Sequence, residues 1–209
     1  GSTSSEYRNA DGSYGGGSAD SLGNSQSEDH GADGSVTHSW TRSDGSSHSD
    51  TLDASGRFKE WTAGADGSYS SDYRNSDEVH GSYVRRADGS SHTQDWGDDG
   101  FVSENVTNAD RSWWSSYRYT DGRYRNDSGD GLGNDQFEMR DSTGTLYHSW
   151  THSDGSRHMD TLDAWGRFQE WTTEADGTYT CTETAAGGSL SGLEGTGSGI
   201  AGLDALSGG

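Results

Sequence analysis

A residue lattice with a period of eleven constrains the fold of this chain more than any other feature. Sixteen positions from residue 12 to residue 177 keep this spacing without an insertion, and glycine occupies fourteen of them. The glycines are Gly12, Gly23, Gly34, Gly45, Gly56, Gly67, Gly89, Gly100, Gly122, Gly133, Gly144, Gly155, Gly166 and Gly177. Glu78 and Arg111 hold the other two positions, and aspartate usually precedes the glycine. So strict a period indicates a repeat architecture.

The segments between the glycines have the pattern of β-strands. Apolar and polar residues alternate, as in Val36, His38 and Trp40, and aromatic and β-branched residues are frequent. A helix would lose about 1 kcal/mol at each glycine. Asp-Gly between such runs predicts a hairpin closed by a two-residue type I′ turn. With that turn, Trp40 faces Ser49, and Leu52 faces Lys59 on the opposite surface, with Trp61 beside them.

The predicted fold is therefore all-β. Tandem 11-residue strand-turn repeats form 22-residue hairpin units, and these form an elongated antiparallel β-meander. The alternative is a two-layer β-solenoid with 22 residues per coil, in which residues that recur every 22 positions stack in the interior. These residues are Tyr14, Val36, Phe58, His80, Val102, Tyr124, Leu146 and Phe168. At Glu78 and Arg111 a positive φ is costly, so we expect a different turn or a break in the sheet.

A second period of 110 residues indicates a duplication. The segment 38–69 is identical to 148–179 at 24 of 32 positions. We predict a lead-in strand over 1–10 and a repetitive β domain over 11–183, in which 6–75 and 116–185 are the duplicated copies. The remainder, 184–209, is a Gly/Ser/Leu-rich tail, either a flexible segment or one that docks on a partner.

Composition excludes several classes of protein. Only 26% of residues are hydrophobic and the net charge is −21, which alone would suggest disorder, but aromatics make up 11% and lie at fixed positions. The scarcity of lysine and arginine argues against nucleic-acid binding. No stretch approaches the roughly 20 apolar residues of a membrane span. The single cysteine, Cys181, permits no intrachain disulfide. The acidity fits a secreted protein or one that collects divalent cations.

Several segments resemble the YD repeats of bacterial RHS-type proteins. They are DASGRFKEWTAGADGSY from Asp53, DAWGRFQEWTTEADGTY from Asp163 and YRYTDGRY from Tyr117. Most of the 11-residue repeats lack the Tyr-x-Tyr-Asp core of that family, and no toxin-like domain follows. The resemblance implies a secreted or surface-displayed β-hairpin array in a bacterium, and it carries no catalytic residues over. The 22-residue period also resembles that of curli-like subunits, and GLGNDQF resembles one RTX nonapeptide.

Two sets of residues are candidates for binding. The oxygen-rich segment 126–137 offers calcium ligands around glycine bends, namely Asp127, Asp130, Asn134 and Asp135. Large apolar residues are candidates for a binding or assembly surface, namely Leu52, Trp61, Trp96, Trp114, Leu162 and Trp171. The pair His48 and Asp50 recurs with the duplication, and we interpret it as part of a solvated strand face rather than a catalytic pair.

These observations predict an extracellular structural protein that self-assembles into a fibre or surface layer, with copies of itself as partners. The alternative is an adhesin or lectin-like module that binds carbohydrate through surface aromatics. We expect no enzyme activity and no cofactor other than calcium.

Overall fold

The computed structural model describes residues 1–75, 79–185 and 190–196. The described chain is all-β, and it divides into two compact units, residues 1–109 and 110–209. Each unit contains one copy of the duplicated segment. In each unit the strands form an antiparallel meander in which every strand pairs with the next, so the predicted meander is confirmed.

The strands are short and evenly spaced. The first unit contains β1 (Thr3–Arg8), β2 (Tyr14–Ala19), β3 (Ser25–His30), β4 (Val36–Thr41), β5 (Ser47–Leu52), β6 (Phe58–Ala63), β7 (Tyr69–Arg74), β8 (Val79–Arg85), β9 (Ser91–Gly97) and β10 (Val102–Thr107). The second contains β11 (Trp113–Arg118), β12 (Tyr124–Gly129), β13 (Asp135–Arg140), β14 (Leu146–Thr151), β15 (Arg157–Leu162), β16 (Phe168–Thr173), β17 (Thr178–Thr184) and β18 (Leu190–Thr196). β18 lies inside the predicted tail, so antiparallel pairing continues beyond residue 183.

Each unit is one strand thick. Within a unit, the backbone of each described strand lies against only the strands next to it in sequence. No described hydrophobic side chain is fully buried, and the most enclosed side chains are hydroxyls, including Ser103 and Ser115. Stability therefore comes from the backbone ladder, the turns and contacts between neighbouring strands on both faces.

The turns differ from the predicted two-residue type. In the turn after β4, Arg42 N–H donates to the Ser46 carbonyl at 2.9 Å, and Gly45 N–H donates to the Arg42 carbonyl at 3.0 Å. Gly45 has φ of 89°, whereas Asp44 is not among the residues with positive φ. The loop therefore has three residues, with the left-handed glycine in third place. This is the arrangement of a type I turn followed by a glycine bulge.

The longer loop shifts the predicted register by one residue. Trp40 pairs with His48 rather than Ser49, and Leu52 pairs with Phe58 rather than Lys59. Paired residues always have the same parity of residue number, in both units. Because opposed side chains share a face and side chains alternate along a strand, even-numbered strand residues share one face of each unit. Odd-numbered strand residues share the other face.

This register corrects the predicted division of the surfaces. Leu52 and Trp96 lie on the even-numbered face of the first unit, whereas Trp61 lies on the odd-numbered face. In the second unit, the even-numbered face carries Trp114 of β11 and Leu162 of β15, and the odd-numbered face carries Trp171 of β16. The residues that recur every 22 positions occur on alternate strands of one row across the even-numbered face of each unit, which accounts for the period without a solenoid interior.

The two non-glycine lattice positions have different outcomes. Arg111 adopts φ of 71°, and it is the only described non-glycine residue with positive φ. Ser112 N–H donates to the Asp110 carboxylate at 2.9 Å, as in the glycine turns. Arg111 therefore keeps the positive φ and the aspartate bond of the glycine turns, and the boundary between the two units falls beside it. Glu78 lies outside the described residues.

Candidate functional site: turn carboxylates and the histidine face

An aspartate closes each of the fifteen lattice turns whose lattice residue the structure describes. It accepts a hydrogen bond from the N–H of the residue after the lattice position, as in Ser46 N–H to Asp44 at 2.9 Å. In ten turns this aspartate directly precedes the lattice residue, and in five others it stands three residues before it, as Asp53 does before Gly56. A carboxylate therefore serves the same N–H from either of two positions.

These turns explain much of the acidity of the chain. The hydroxyl of Ser46 donates to Asp44, and this bond, with the backbone N–H of Ser46, holds the pKa of Asp44 below its usual value. The hydroxyl of Ser13 has the same effect on the pKa of Asp11. Carboxylates at these turns thus have a structural role, and the acidity by itself does not indicate a cation-binding protein.

The four candidate calcium ligands have separate roles. Asp127 accepts from the Arg125 guanidinium at 2.8 and 2.9 Å. Asp130 closes its own turn by accepting from the N–H groups of Leu132 and Asn134. The side-chain oxygen of Asn134 accepts from the backbone N–H of Ser153 in the neighbouring turn at 3.0 Å. Asp135 lies on β13, on the odd-numbered face.

Hydrogen bonds within and between neighbouring turns therefore account for most of the polar side chains in the segment 126–137. In the first copy, Asn24 accepts from Ser43 N–H at 3.0 Å and Asp20 closes the turn, which matches Asn134 and Asp130. Among the described residues, no group of three or more His, Cys, Asp or Glu side chains is arranged to hold a metal ion. The segment is suited to joining adjacent turns.

All histidines in the strands lie on the even-numbered face, which we call the histidine face of each unit. In the first unit they are His30, His38, His48, His80 and His92, and in the second unit they are His148 and His158. His152 is in a turn. Sequence reasoning did not identify this grouping, although the even residue numbers of all eight histidines were a visible signal.

On the histidine face of the first unit, hydrogen bonds and one ion pair join carboxylates and imidazoles into a network on β3, β4 and β5. His38 Nδ1 lies 3.0 Å from Asp50 Oδ1, and its Nε2 lies 3.5 Å from Glu28. His48 Nε2 lies 3.3 Å from the other oxygen of Asp50, and His30 Nε2 lies 2.5 Å from Glu28. The hydrogen bond with Asp50 raises the pKa of His38. Burial raises the pKa of Asp50, but its bonds with His38 and His48 outweigh this and leave that pKa lowered.

The second unit repeats the central part of this network of imidazoles and carboxylates. His148 Nδ1 lies 3.1 Å from Asp160, and His158 Nε2 lies 3.2 Å from the same carboxylate. An indole ring stacks on the inner imidazole in each copy. The ring centroids of Trp40 and His48 are 5.5 Å apart, and those of Trp150 and His158 are 5.1 Å apart, with interplanar angles of 14° and 9°. The arrangement orders the side chains of adjacent strands.

The predicted surface aromatics are partly accessible. Trp96 is 39% exposed and stacks on His80, and Trp114 is 37% exposed. Trp61 is half-buried on the other face, where it stacks on Tyr69 with ring centroids 6.4 Å apart. Sequence reasoning missed Trp165, which stands in a turn and is 71% exposed.

On the odd-numbered face, glycine makes room for an aromatic ring. Tyr73 lies over Gly81 on the next strand and donates its hydroxyl to Asp95 on the strand after it. Tyr7 donates across Gly15 to Asp29 in the same way, at 2.9 Å. The hydrogen bond with Asp95 raises the pKa of Tyr73 to about 12. A side chain at either glycine would collide with the ring.

Comparison with known proteins provides no assignment. No family model matches the chain, and no curated protein matches it. In the described part of the chain, no helix has the length and apolar character needed to cross a membrane.

Proposed function

We propose that this chain is an extracellular structural repeat protein that assembles with copies of itself into a fibre or surface layer. The observation that carries the proposal is the one-strand thickness of each unit. The described part has no buried apolar side chain, so both broad faces of each unit meet solvent. A protein built in this way offers surfaces rather than an enclosed cavity.

Regularity supports the same proposal. Matching turns and a nearly constant strand length give each face a repeated spacing, about 4.8 Å between strands. Such a surface can meet a copy of itself at many equivalent contacts. The resemblance to YD repeats supports a secreted or cell-surface location in a bacterium. The pair His48 and Asp50 recurs as His158 and Asp160 in the other unit, which favours a structural role over a catalytic one.

Negative-stain electron microscopy and light scattering across protein concentration and pH test the proposal. We expect ordered particles larger than the monomer to increase with concentration. Monodisperse monomers at every concentration, at neutral pH and in mild acid alike, would refute it. Circular dichroism of the same samples controls for unfolding.

A carbohydrate-binding module is the second candidate. It is favoured by the partly exposed rings of Trp96 and Trp114 on the even-numbered faces, since indole rings stack on sugars. A glycan array with the full chain, compared with Trp96→Ala and Trp114→Ala, tests it. Trp61→Ala, on the odd-numbered face, is the control. Binding that survives both face substitutions would exclude this use of the surface.

A further inference from the structure

The two faces of the first unit differ in how their charge responds to pH. On the histidine face, six carboxylates and two arginines give the strand residues a net charge of −4 when histidine is neutral. These residues are Glu6, Glu28, Asp50, Glu60, Asp72, Glu104, Arg8 and Arg74. Protonating the five histidines changes this to +1. The odd-numbered face has two acids and two bases and no histidine among its described strand residues, so it stays neutral.

Two carboxylates lie beside each histidine of the central strands. His38 stands between Glu28 and Asp50 on the adjoining strands. His48 has Asp50 on its own strand and Glu60 on the next, the latter at 3.9 Å.

The other three histidines also have charged neighbours. His30 contacts Glu28. His80 faces Arg74 and lies 3.8 Å from Asp98. His92 Nε2 lies 2.8 Å from Glu104. Histidine as a residue type ordinarily gains its proton in mildly acidic solution.

A largely apolar row, which also contains Arg74 and two of the histidines, crosses the same face. Register places Tyr14, His30, Val36, Leu52 and Phe58 opposite one another on successive strands. The row continues through Arg74 and His80 to Trp96 and Val102.

Side chains in this row remain open to solvent. Leu52 is 45% exposed, and a shallow groove between Leu52, Phe58, His80 and Trp96 is open along the row. Burial of this row would be favourable once charge repulsion is removed.

We propose that the histidine face of the first unit is a docking surface for the same face of a second copy of the chain, and that protonation of its histidines permits the docking. This inference rests on the proposed self-assembly and names its surface and its control. At neutral pH two such faces repel each other. In mild acid each face carries histidinium and carboxylate groups in similar numbers, so it becomes complementary to itself.

The dimensions suit a pair of copies. Ten strands at about 4.8 Å spacing and six residues at about 3.4 Å rise give a face of roughly 850–1,000 Å². A stable interface buries about 800 Å² on each partner. The sequence pI of about 4.4 keeps the chain negative in mild acid, so association there is not isoelectric precipitation.

Sedimentation velocity of the full chain at about pH 7.5 and about pH 5.5, on either side of the ordinary histidine pKa, tests the proposal. We expect a dissociation constant at least about tenfold lower in acid, since a one-unit pKa shift of a single histidine on association is worth tenfold. Leu52→Asp should remove the association, and Thr41→Asp, an exposed position on the other face, should retain it.

Histidine variants test whether protonation controls the docking. His38→Gln with His48→Gln should weaken the pH dependence, whereas the matched pair His148→Gln with His158→Gln in the second unit should preserve it. Equal association at both pH values would overturn the control by histidine protonation but would still support self-assembly. Association removed by Thr41→Asp but not by Leu52→Asp would overturn the docking surface. Monomers under all conditions would overturn the proposed function as well.

Discussion

Replacing Arg111 with glycine should stabilise the chain. Arg111 holds φ of 71°, in the left-handed region that fourteen glycines occupy at the equivalent lattice positions. A residue with a side chain loses about 1–2 kcal/mol there. Glycine loses about 0.5–1 kcal/mol more than other residues in unfolded-chain entropy. The balance is a gain of about 0.5–1 kcal/mol in the free energy of unfolding.

Urea unfolding of the full chain, followed by tryptophan fluorescence, measures this free-energy difference, and thermal melting gives the matching change in Tm. In a unit of about 100 residues, 1 kcal/mol corresponds to roughly 4–8 °C, so Arg111→Gly should raise Tm by roughly 2–8 °C. Circular dichroism should show an unchanged spectrum, because the turn geometry is retained.

Gly122→Arg is the matched control. Gly122 has φ of 87°, follows an aspartate as Arg111 does, and has open space where a Cβ would lie. The control should lose what Arg111→Gly gains, and the double variant should return near the original stability. Destabilisation by Arg111→Gly would refute the reasoning, because it would show that the arginine side chain contributes more than its backbone strain removes.

Three further predictions concern the turns, the tyrosine bridge and calcium. Asp44→Ala should lower Tm, whereas Asp44→Asn keeps a hydrogen-bond acceptor and should lower Tm less. Because the pKa of Asp44 is depressed in the folded state, its contribution to stability is present above about pH 4 and is lost as the pH falls through the folded pKa. An equal loss of Tm in both variants at neutral pH would contradict this account. Ultraviolet titration should show one tyrosine with a pKa of about 12, absent in Tyr73→Phe, and Gly81→Ala should lower Tm because its Cβ would meet the Tyr73 ring and the Asp95 carboxylate. Calcium and EDTA should leave Tm unchanged, because Asp130 is engaged in closing its turn, and a saturable rise that Asp130→Asn removes would restore calcium as a ligand.

The repeat could be predicted from sequence because its signals are local. Glycine spacing indicated the turns, alternation indicated the strands, and the two together predicted the meander. The register could not be obtained in the same way, since loops of two and three residues differ by a single residue. That single residue decides whether Leu52 shares a face with Trp61, on the next strand.

The candidate site was harder to predict than the repeat, because the same oxygen-rich residues are suited equally to closing turns and to binding metal ions. Asp130 and Asn134 have the chemistry of calcium ligands, and only the folded structure reveals their backbone partners. The histidine face was accessible in principle. Once paired residues are known to share parity, the even numbers of the histidines place those in strands on one side without any further calculation.

The three-residue turn also limits how such an array can change its length. Because eleven is odd, residues that share a face stand at different distances from the lattice glycine in consecutive 11-residue repeats. His38 stands four residues after Gly34, and His48 stands three residues after Gly45. Loss or gain of one 11-residue arm would therefore invert the faces of everything downstream, whereas a 22-residue change would preserve them. The 110-residue duplication is five such pairs, so recombination could lengthen the chain without moving a histidine to the other side.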